Sequence, residues 1–177
     1  MKLEEKTLSS QIVYDGKIMT VRRDEIETAD GHHSFREVVE HSGGVTIVAI
    51  KGDSILFVKQ FRYPIKQVML ELPAGKLEKG EDPDEACERE LEEETGYRAK
   101  HWTSLGYIYT SIGFCDEKLY LYLAQDLEFV GEHPDDGEIL ENYEYKITEV
   151  EKMIADGRIC DAKTICAIHR ALLEIKR

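Results

Sequence analysis

Apolar positions along the chain fall into short runs and period-two alternations more often than into helical stripes. Residues 45–50 (VTIVAI) and 55–61 (ILFVKQF) are two such runs. Lys51-Gly52-Asp53-Ser54 separates them, which predicts a hairpin. Residues 68–72 (VMLEL) predict another strand, and 104–110 and 118–124 two more, with Tyr107, Tyr109, Tyr120 and Tyr122 alternating with apolar residues. Residues 141–146 predict a further one. Upstream, residues 11–14 and 17–21 flank Asp15-Gly16, and 21–28 and 35–40 flank Ala29-Asp30-Gly31-His32. Asp-Gly pairs favour tight turns, so residues 1–40 predict a small antiparallel sheet. His32 and His33 fall at a turn with no partner at metal-ligand spacing, and are expected to be solvated.

Three segments carry helix signals instead. Asp82 precedes Pro83, and Glu85 follows. An N-cap aspartate, a proline at the first helical position and a glutamate in the first turn mark a start, and Gly96 marks a stop. The spacing predicts a helix over 83–95. Thr148 and Glu151 form a capping box for a short helix ending near Asp156-Gly157. Asp161 caps a last amphipathic helix to about residue 175, with Ile165, Ile168, Leu172 and Ile175 on its packing side. Strands in runs with few helices imply an α/β (α+β) fold, a mixed sheet with helices packed on it. The only long irregular stretch is 125–140.

The helix over 83–95 has an unusual charge pattern. It carries Asp84, Glu85, Glu88, Glu90, Glu92, Glu93 and Glu94 against one cation, Arg89. Solvated helices place a base four residues after an acid, whereas here Glu88 meets Glu92 and Glu90 meets Glu94. Arg89 can pair back to Glu85 and forward to Glu93. At about 100° per residue, Glu90, Glu93 and Glu94 share one face with Ala86, with Cys87 and Leu91 beside it. The acids therefore border the face that packs. Like charges there need a counter-charge, and hard divalent cations take oxygen ligands. Ahead of the helix, Gly75 lets backbone approach a ligand closely, and a free carbonyl at Pro73-Ala74-Gly75 is a candidate further ligand.

Net charge narrows the partners. A formal charge of −13 argues against a nucleic-acid backbone, whose binding rests on Lys and Arg. It leaves phosphate substrates open, because a bound metal inverts the local charge. The four cysteines (Cys87, Cys115, Cys160, Cys166) form no CxxC pair and no zinc spacing, as expected for reduced thiols in a cytoplasmic protein. The N-terminal MKLEEKTLSS has no signal-peptide character, and no apolar run is long enough to predict a membrane span. At 177 residues the chain has room for one substantial core.

The stretch 71–97, ELPAGKLEKGEDPDEACERELEEETGY, resembles the Nudix box: a glycine, five residues, a glutamate, seven residues, then REUxEExGU, with U bulky and apolar. Gly75, Glu81, Arg89, Glu90, Leu91, Glu93, Glu94 and Gly96 match, and Tyr97 stands at the last U. The resemblance implies an α/β/α sandwich with the box helix beside the sheet. It also implies hydrolysis of a nucleoside diphosphate linked to another group, by water attack on phosphorus. Glu90 and Glu94 would be the main ligands of magnesium, with manganese as the alternative, and Glu93 and the Ala74 carbonyl would be additions. Arg89 would position the glutamates, and Gly75, Glu81 and Gly96 would shape the motif. The base lies outside the box in similar enzymes. Asp135-Asp136-Gly137-Glu138 on the acidic 125–140 stretch suits a closing lid, with Glu138 on metal or water and Asp136 second.

Further features are similar to the ADP-ribose pyrophosphatase branch: the N-terminal β extension, Gln60-Phe61-Arg62, Glu71-Leu72-Pro73-Ala74-Gly75 and Asp161-Ala162-Lys163-Thr164. By that match Arg62 contacts substrate. His41 falls where some relatives have arginine, and Glu117 falls where the terminal ribose is reached. The branch's Ser-Pro-Gly turn is here Ser111-Ile112-Gly113, keeping Gly113 but not the proline, which leaves other ADP- or GDP-sugars open. The resemblance implies a homodimer built through residues 1–40, with 41–177 as the hydrolase domain and Phe35 or Tyr14 available to stack on a base. The alternatives are a hydrolase of oxidised nucleoside triphosphates, against which the N-terminal sheet weighs, and a non-catalytic nucleotide-sugar sensor, against which the intact box weighs.

Overall fold

The computed structural model describes residues 3–131 and 139–176. The chain divides into two compact units, Met1–Gly43 with Tyr109–Lys118, and Gly44–Ile108 with Leu119–Arg177.

The first unit is a three-stranded antiparallel sheet of β1 (Lys6–Asp15), β2 (Met19–Glu27) and β3 (His33–His41), in the order β1-β2-β3. Both predicted turns are present, but residues 17–21 and 21–28 form one strand, and β1 extends well beyond 11–14. Cross-strand pairing carries these strands over polar positions that period-two reading discounts. Only Asp24 and Ile26 are buried within the sheet. His32 and His33 are exposed, as expected. The 110–117 segment docks on β3 through Val39 N–H to the Phe114 carbonyl and Asp116 N–H to the Val39 carbonyl.

The second unit contains β4 (Gly44–Lys51), β5 (Ser54–Arg62), β6 (Gln67–Glu71), β7 (Ala74–Lys76), α1 (Pro83–Thr95), β8 (Tyr97–Tyr109), β9 (Lys118–Phe129), β10 (Glu141–Lys146), α2 (Ile147–Ala155) and α3 (Ala162–Ile175). Its sheet runs β10-β5-β4-β9-β8, with β6 on β5 and β7 on β4. Strand β4 lies parallel to β9 and antiparallel to β5, so the sheet is mixed. Its unbroken apolar run is explained by burial on both faces. Val45, Ile47 and Ala49 pack with Ala86, Cys87 and Leu91 of α1. Val48 packs with Val150 and Met153 of α2 and Ala167, Ile168 and Ala171 of α3. Helices thus cover both faces, giving the expected α/β/α sandwich. Burial of Cys87, with Asp84 and Glu88 nearby, pushes its thiol up to about 12. No described helix is long and apolar enough to cross a membrane.

The caps of α1 behave as the sequence implies. The Asp82 carboxylate accepts the Asp84 N–H, and Gly96 adopts φ 72°, the left-handed region that ends the helix. Other details differ. The three-residue β7 carries no periodic signal. Strand β8 starts at Tyr97, not 104, with Tyr97 and Ala99 packed inward while Arg98 and Lys100 pair outward with Glu92 and Glu128. Thr148 and Glu151 do not cap α2. Its N-cap is Lys146, with no side-chain bond, because the strand β10 runs directly into the helix. On α3 the buried face is Thr164, Ala167, Ile168 and Ala171, and Ile175 is exposed. Small residues face the sheet there because they let the helix approach it closely.

Asp161 accepts the Thr164 N–H and does cap α3. Asp161→Ala should cost about 1–2 kcal/mol, whereas exposed Thr148→Ala should stay within roughly 0.5 kcal/mol of the parent. Denaturant titration of both variants checks the contrast.

Candidate active site

The site grows from the register of β7. Ile47 N–H donates to the Pro73 carbonyl at 2.9 Å, and Thr46 pairs opposite Ala74. The 47/73 rung is hydrogen-bonded, so the 46/74 rung is not. The N–H and carbonyl of Ala74 therefore both point away from β4. The N–H is used at once, donating to Glu94 Oε2 at 2.9 Å. The carbonyl projects from the same edge.

Gly75 follows and lies against α1. A Cβ at this position would fall 1.8 Å from Glu90 Cδ and 1.9 Å from its Oε1. Only glycine admits the Glu90 carboxylate against the backbone, so the close approach here is to a side chain of α1, where the sequence pointed to a ligand. Glu94 is buried at 6% exposure, beside the apolar Ala86, Cys87 and Leu91 on the inner side of α1.

Arg89 holds the remaining acids. Its Nε donates to Glu81 Oε1 at 2.9 Å, and its Nη1 donates to Glu90 Oε1 and Glu93 Oε2, each at 2.8 Å. The backward partner is Glu81 on the loop, where helical spacing pointed to Glu85. Glu81 also accepts the Glu78 N–H at 2.8 Å, so the loop and the helix share one clasp. Hydrogen bonding to Arg89 holds the Glu81 carboxyl below its ordinary range, and Glu81 in turn raises Arg89.

Arg62 and Glu71 extend this region. Arg62 Nε and Nη2 donate to the two oxygens of Glu71 at 2.7 and 2.6 Å. Burial alone would raise the Glu71 carboxyl, but hydrogen bonds from Arg62 and Lys163 outweigh it and hold the group below its usual range. Hydrogen bonding to Glu71 raises Arg62 above its ordinary range, with a smaller contribution from the Glu94 charge. Asn142 of β10 donates from Nδ2 to the Glu94 carbonyl at 3.1 Å, pinning the end of α1. Neither Glu71 nor Asn142 was singled out as a site residue. Two signals marked the first, its place in Glu71-Leu72-Pro73-Ala74-Gly75 and a glutamate inside the apolar run VMLEL.

His41, Gly113 and Glu117 belong to the other unit. His41 N–H donates to Asp116 Oδ1 at 2.9 Å, and the Gly43 N–H donates to His41 Nδ1 at 3.0 Å. Glu117 Oε1 lies 3.5 Å from His41 Nδ1, and Thr110 donates to Glu117 Oε2 at 2.7 Å. The Ser111 carbonyl accepts from the Phe114 and Cys115 N–H groups, so the turn around Gly113 closes without proline. Phe35 is half exposed beneath Arg23, and Tyr14 is also exposed. Asp136 and Glu138 lie outside the described residues.

The donor set fits a hard divalent cation: carboxylates at Glu90, Glu93 and Glu94 and the outward carbonyl of Ala74 are all oxygen. Among the described residues no three acidic, His or Cys side chains converge on one ion position.

A profile of the NUDIX domain matches residues 40–168, and one of the nucleoside diphosphate sugar hydrolase N-terminal domain matches residues 5–39. The chain belongs to the Nudix family, and it is a pyrophosphohydrolase of that class. It is 41% identical over 170 residues to an ADP-ribose pyrophosphatase of Bacillus subtilis (strain 168), covering 94% of this chain and 92% of that protein. It is 38% identical to a methanol dehydrogenase activator of Bacillus methanolicus, with 97% and 94% covered. The crystal structure of an ADP compounds hydrolase shares the fold at a TM-score of 0.89 and 22% identity, covering 99% of this chain and 97% of that one.

Gly75→Ala should lower kcat by about a hundredfold, the scale of an ångström-sized misplacement of a reacting group. The melting temperature should shift by only a few degrees. Steady-state kinetics alongside thermal unfolding checks this.

Proposed function

We propose that this enzyme hydrolyses the diphosphate of ADP-ribose, or of a related ADP-sugar, to AMP and a sugar phosphate. The observation that carries the reading is the assembled box. Glu90 rests on Gly75, Glu94 on the Ala74 N–H, and Arg89 ties Glu81, Glu90 and Glu93 together. The similarity over nearly the whole chain to an ADP-ribose pyrophosphatase supports the substrate.

In this reading Glu90, Glu94, Glu93 and the Ala74 carbonyl hold magnesium, with manganese as substitute. The ion supplies charge neutralisation for the diphosphate and a more acidic bound water. Glu138, with Asp136 second, takes a proton from the attacking water. The new P–O bond forms on one phosphorus as the bridging P–O bond breaks, and the leaving phosphate departs with the bond's electron pair. Arg62 and the His41–Glu117 pair bind the substrate, Arg62 through its guanidinium and Glu117 through ribose hydroxyls. Arg89, Gly75, Glu81 and Gly96 keep the carboxylates in place and touch no substrate.

Residues 1–40 serve as a dimerising extension and 41–177 as the hydrolase domain. Leu8, Ile12, Val13, Tyr14 and Phe35 are exposed on a sheet that buries only two residues, and such an apolar surface suits a second copy. Four free cysteines accord with a cytoplasmic setting. Sedimentation at micromolar concentration should give twice the 20.3 kDa chain mass. A single-chain mass would overturn the dimer.

Incubation with ADP-ribose and magnesium should release AMP and ribose 5-phosphate, and a chelator should stop it. Glu94→Gln removes a ligand charge while keeping an oxygen for the Ala74 N–H, so it should abolish turnover and leave the circular dichroism spectrum intact. Wild-type rates from that variant would refute the metal assignment. Ile112, 82% exposed where the branch has proline, is the reason to run ADP- and GDP-sugars in parallel. Turnover of one of those alone would move the substrate and keep the chemistry.

A further inference from the structure

The Asp161-Ala162-Lys163-Thr164 stretch has no role in the chemistry above, yet its side chains reach the strand that leads into the box. Thr164 Oγ1 accepts the Leu72 N–H at 3.0 Å and donates to Asp161 Oδ2 at 2.6 Å. Lys163 donates to Asp161 Oδ2 at 2.9 Å and to Glu71 Oε2. Glu71 is 2% exposed and takes both Arg62 bonds. Two cations and two carboxylates thus form one neutral chain from the start of α3 to the end of β5.

The division of labour within the chain follows from side-chain chemistry. A buried carboxylate needs its charge balanced and its lone pairs filled. Lys163 is a compact point charge and donates to both Glu71 Oε2 and Asp161 Oδ2. Arg62 is planar and meets Glu71 along its Nε and Nη2 edge. Among the described residues its Nη1 has no partner, and the side chain is 39% exposed. The guanidinium is therefore held by two bonds to Glu71 with one donor pair turned away from it. Without Lys163, Glu71 Oε2 would lose its second donor, the whole carboxylate charge would fall on Arg62, and the Glu71–Arg62 pair would be free to turn together. The donor pair would then lose its direction.

We propose that Lys163 is a positioning residue for Arg62: acting through Glu71, it aims the Nη1 donors at a phosphoryl oxygen of the substrate. This rests on the reading that Arg62 contacts substrate. Lys163 itself touches none.

The test is a double-mutant cycle of Lys163→Met and Arg62→Met, read at saturating magnesium with whichever sugar nucleotide the wild type turns over. Calorimetric binding of AMP and thermal unfolding are measured in parallel. Lys163→Met should raise KM and the AMP dissociation constant by about tenfold, while kcat falls by less than about threefold. In the Arg62→Met background the same change should raise neither further, because the group it acts through is gone. An unchanged KM in Lys163→Met, or additive effects in the double variant, would overturn the proposal. An unchanged KM in Arg62→Met would instead remove Arg62 from substrate binding and take this inference with it. If Lys163→Met does not fold, Lys163→Gln keeps a polar donor and is read in the same cycle.

Discussion

Helix α1 turns its acids toward the sheet, and that arrangement depends on Arg89. Glu90, Glu93 and Glu81 all meet one guanidinium at 2.8–2.9 Å. Without it, three carboxylates at the edge of a core would repel one another in a medium that screens poorly. The clasp also crosses the chain. Glu81 lies on the loop before the helix and is itself fixed by the Glu78 N–H, so the loop's course and the helix's orientation are set together. Gly75 completes the arrangement from below, since the Glu90 carboxylate can lie where it does only if no Cβ stands under it.

The sheet supplies what side chains cannot. Strand β7 is three residues long, but its pairing with β4 decides which way the Ala74 backbone faces. A shift of one residue would turn the Ala74 N–H into the ladder and deprive buried Glu94 of its donor. Register is secured by the apolar core on both faces of β4, by Thr164 on the Leu72 N–H, and by Asn142 on the last turn of α1. Packing far from the box thus holds Ala74, Glu90 and Glu94 in fixed relation to one another.

Much of this was legible in the sequence because it is local. Asp82, Pro83 and Gly96 bound the helix, and the spacing of Glu90 and Glu94 puts them on one face whatever surrounds them. The strands of the second unit showed through their apolar runs. What the sequence concealed depends on partners distant along the chain. The outward Ala74 rung needs β4. The Glu71 network needs Lys163, 92 residues away. Tyr97, Ala99 and Trp102 read as β structure only once β9 and α1 are beside them. The capping box at Thr148 failed for a related reason, since β10 feeds straight into α2 and fixes the helix start one residue before the threonine. His41 and Glu117 meet only because the 110–117 segment docks on β3.

The two charge networks of the second unit differ in a way that bears on function. The Arg62–Glu71–Lys163–Asp161 chain is internally neutral, buried around Glu71 and closed by hydrogen bonds, so it gains little from an added ion. Around Arg89, three carboxylates (Glu81, Glu90 and Glu93) share one guanidinium, and with Glu94 one turn further along α1 the balance is negative. Negative charge concentrated at a half-buried protein edge is costly unless something compensates it. A hard divalent cation is the compensation that oxygen donors of this kind select, and it carries the positive charge that a diphosphate then needs. The acidity of the chain is thus no obstacle to a phosphate substrate. One network is closed on itself, while the other keeps an excess of negative charge, which the proposed magnesium would answer.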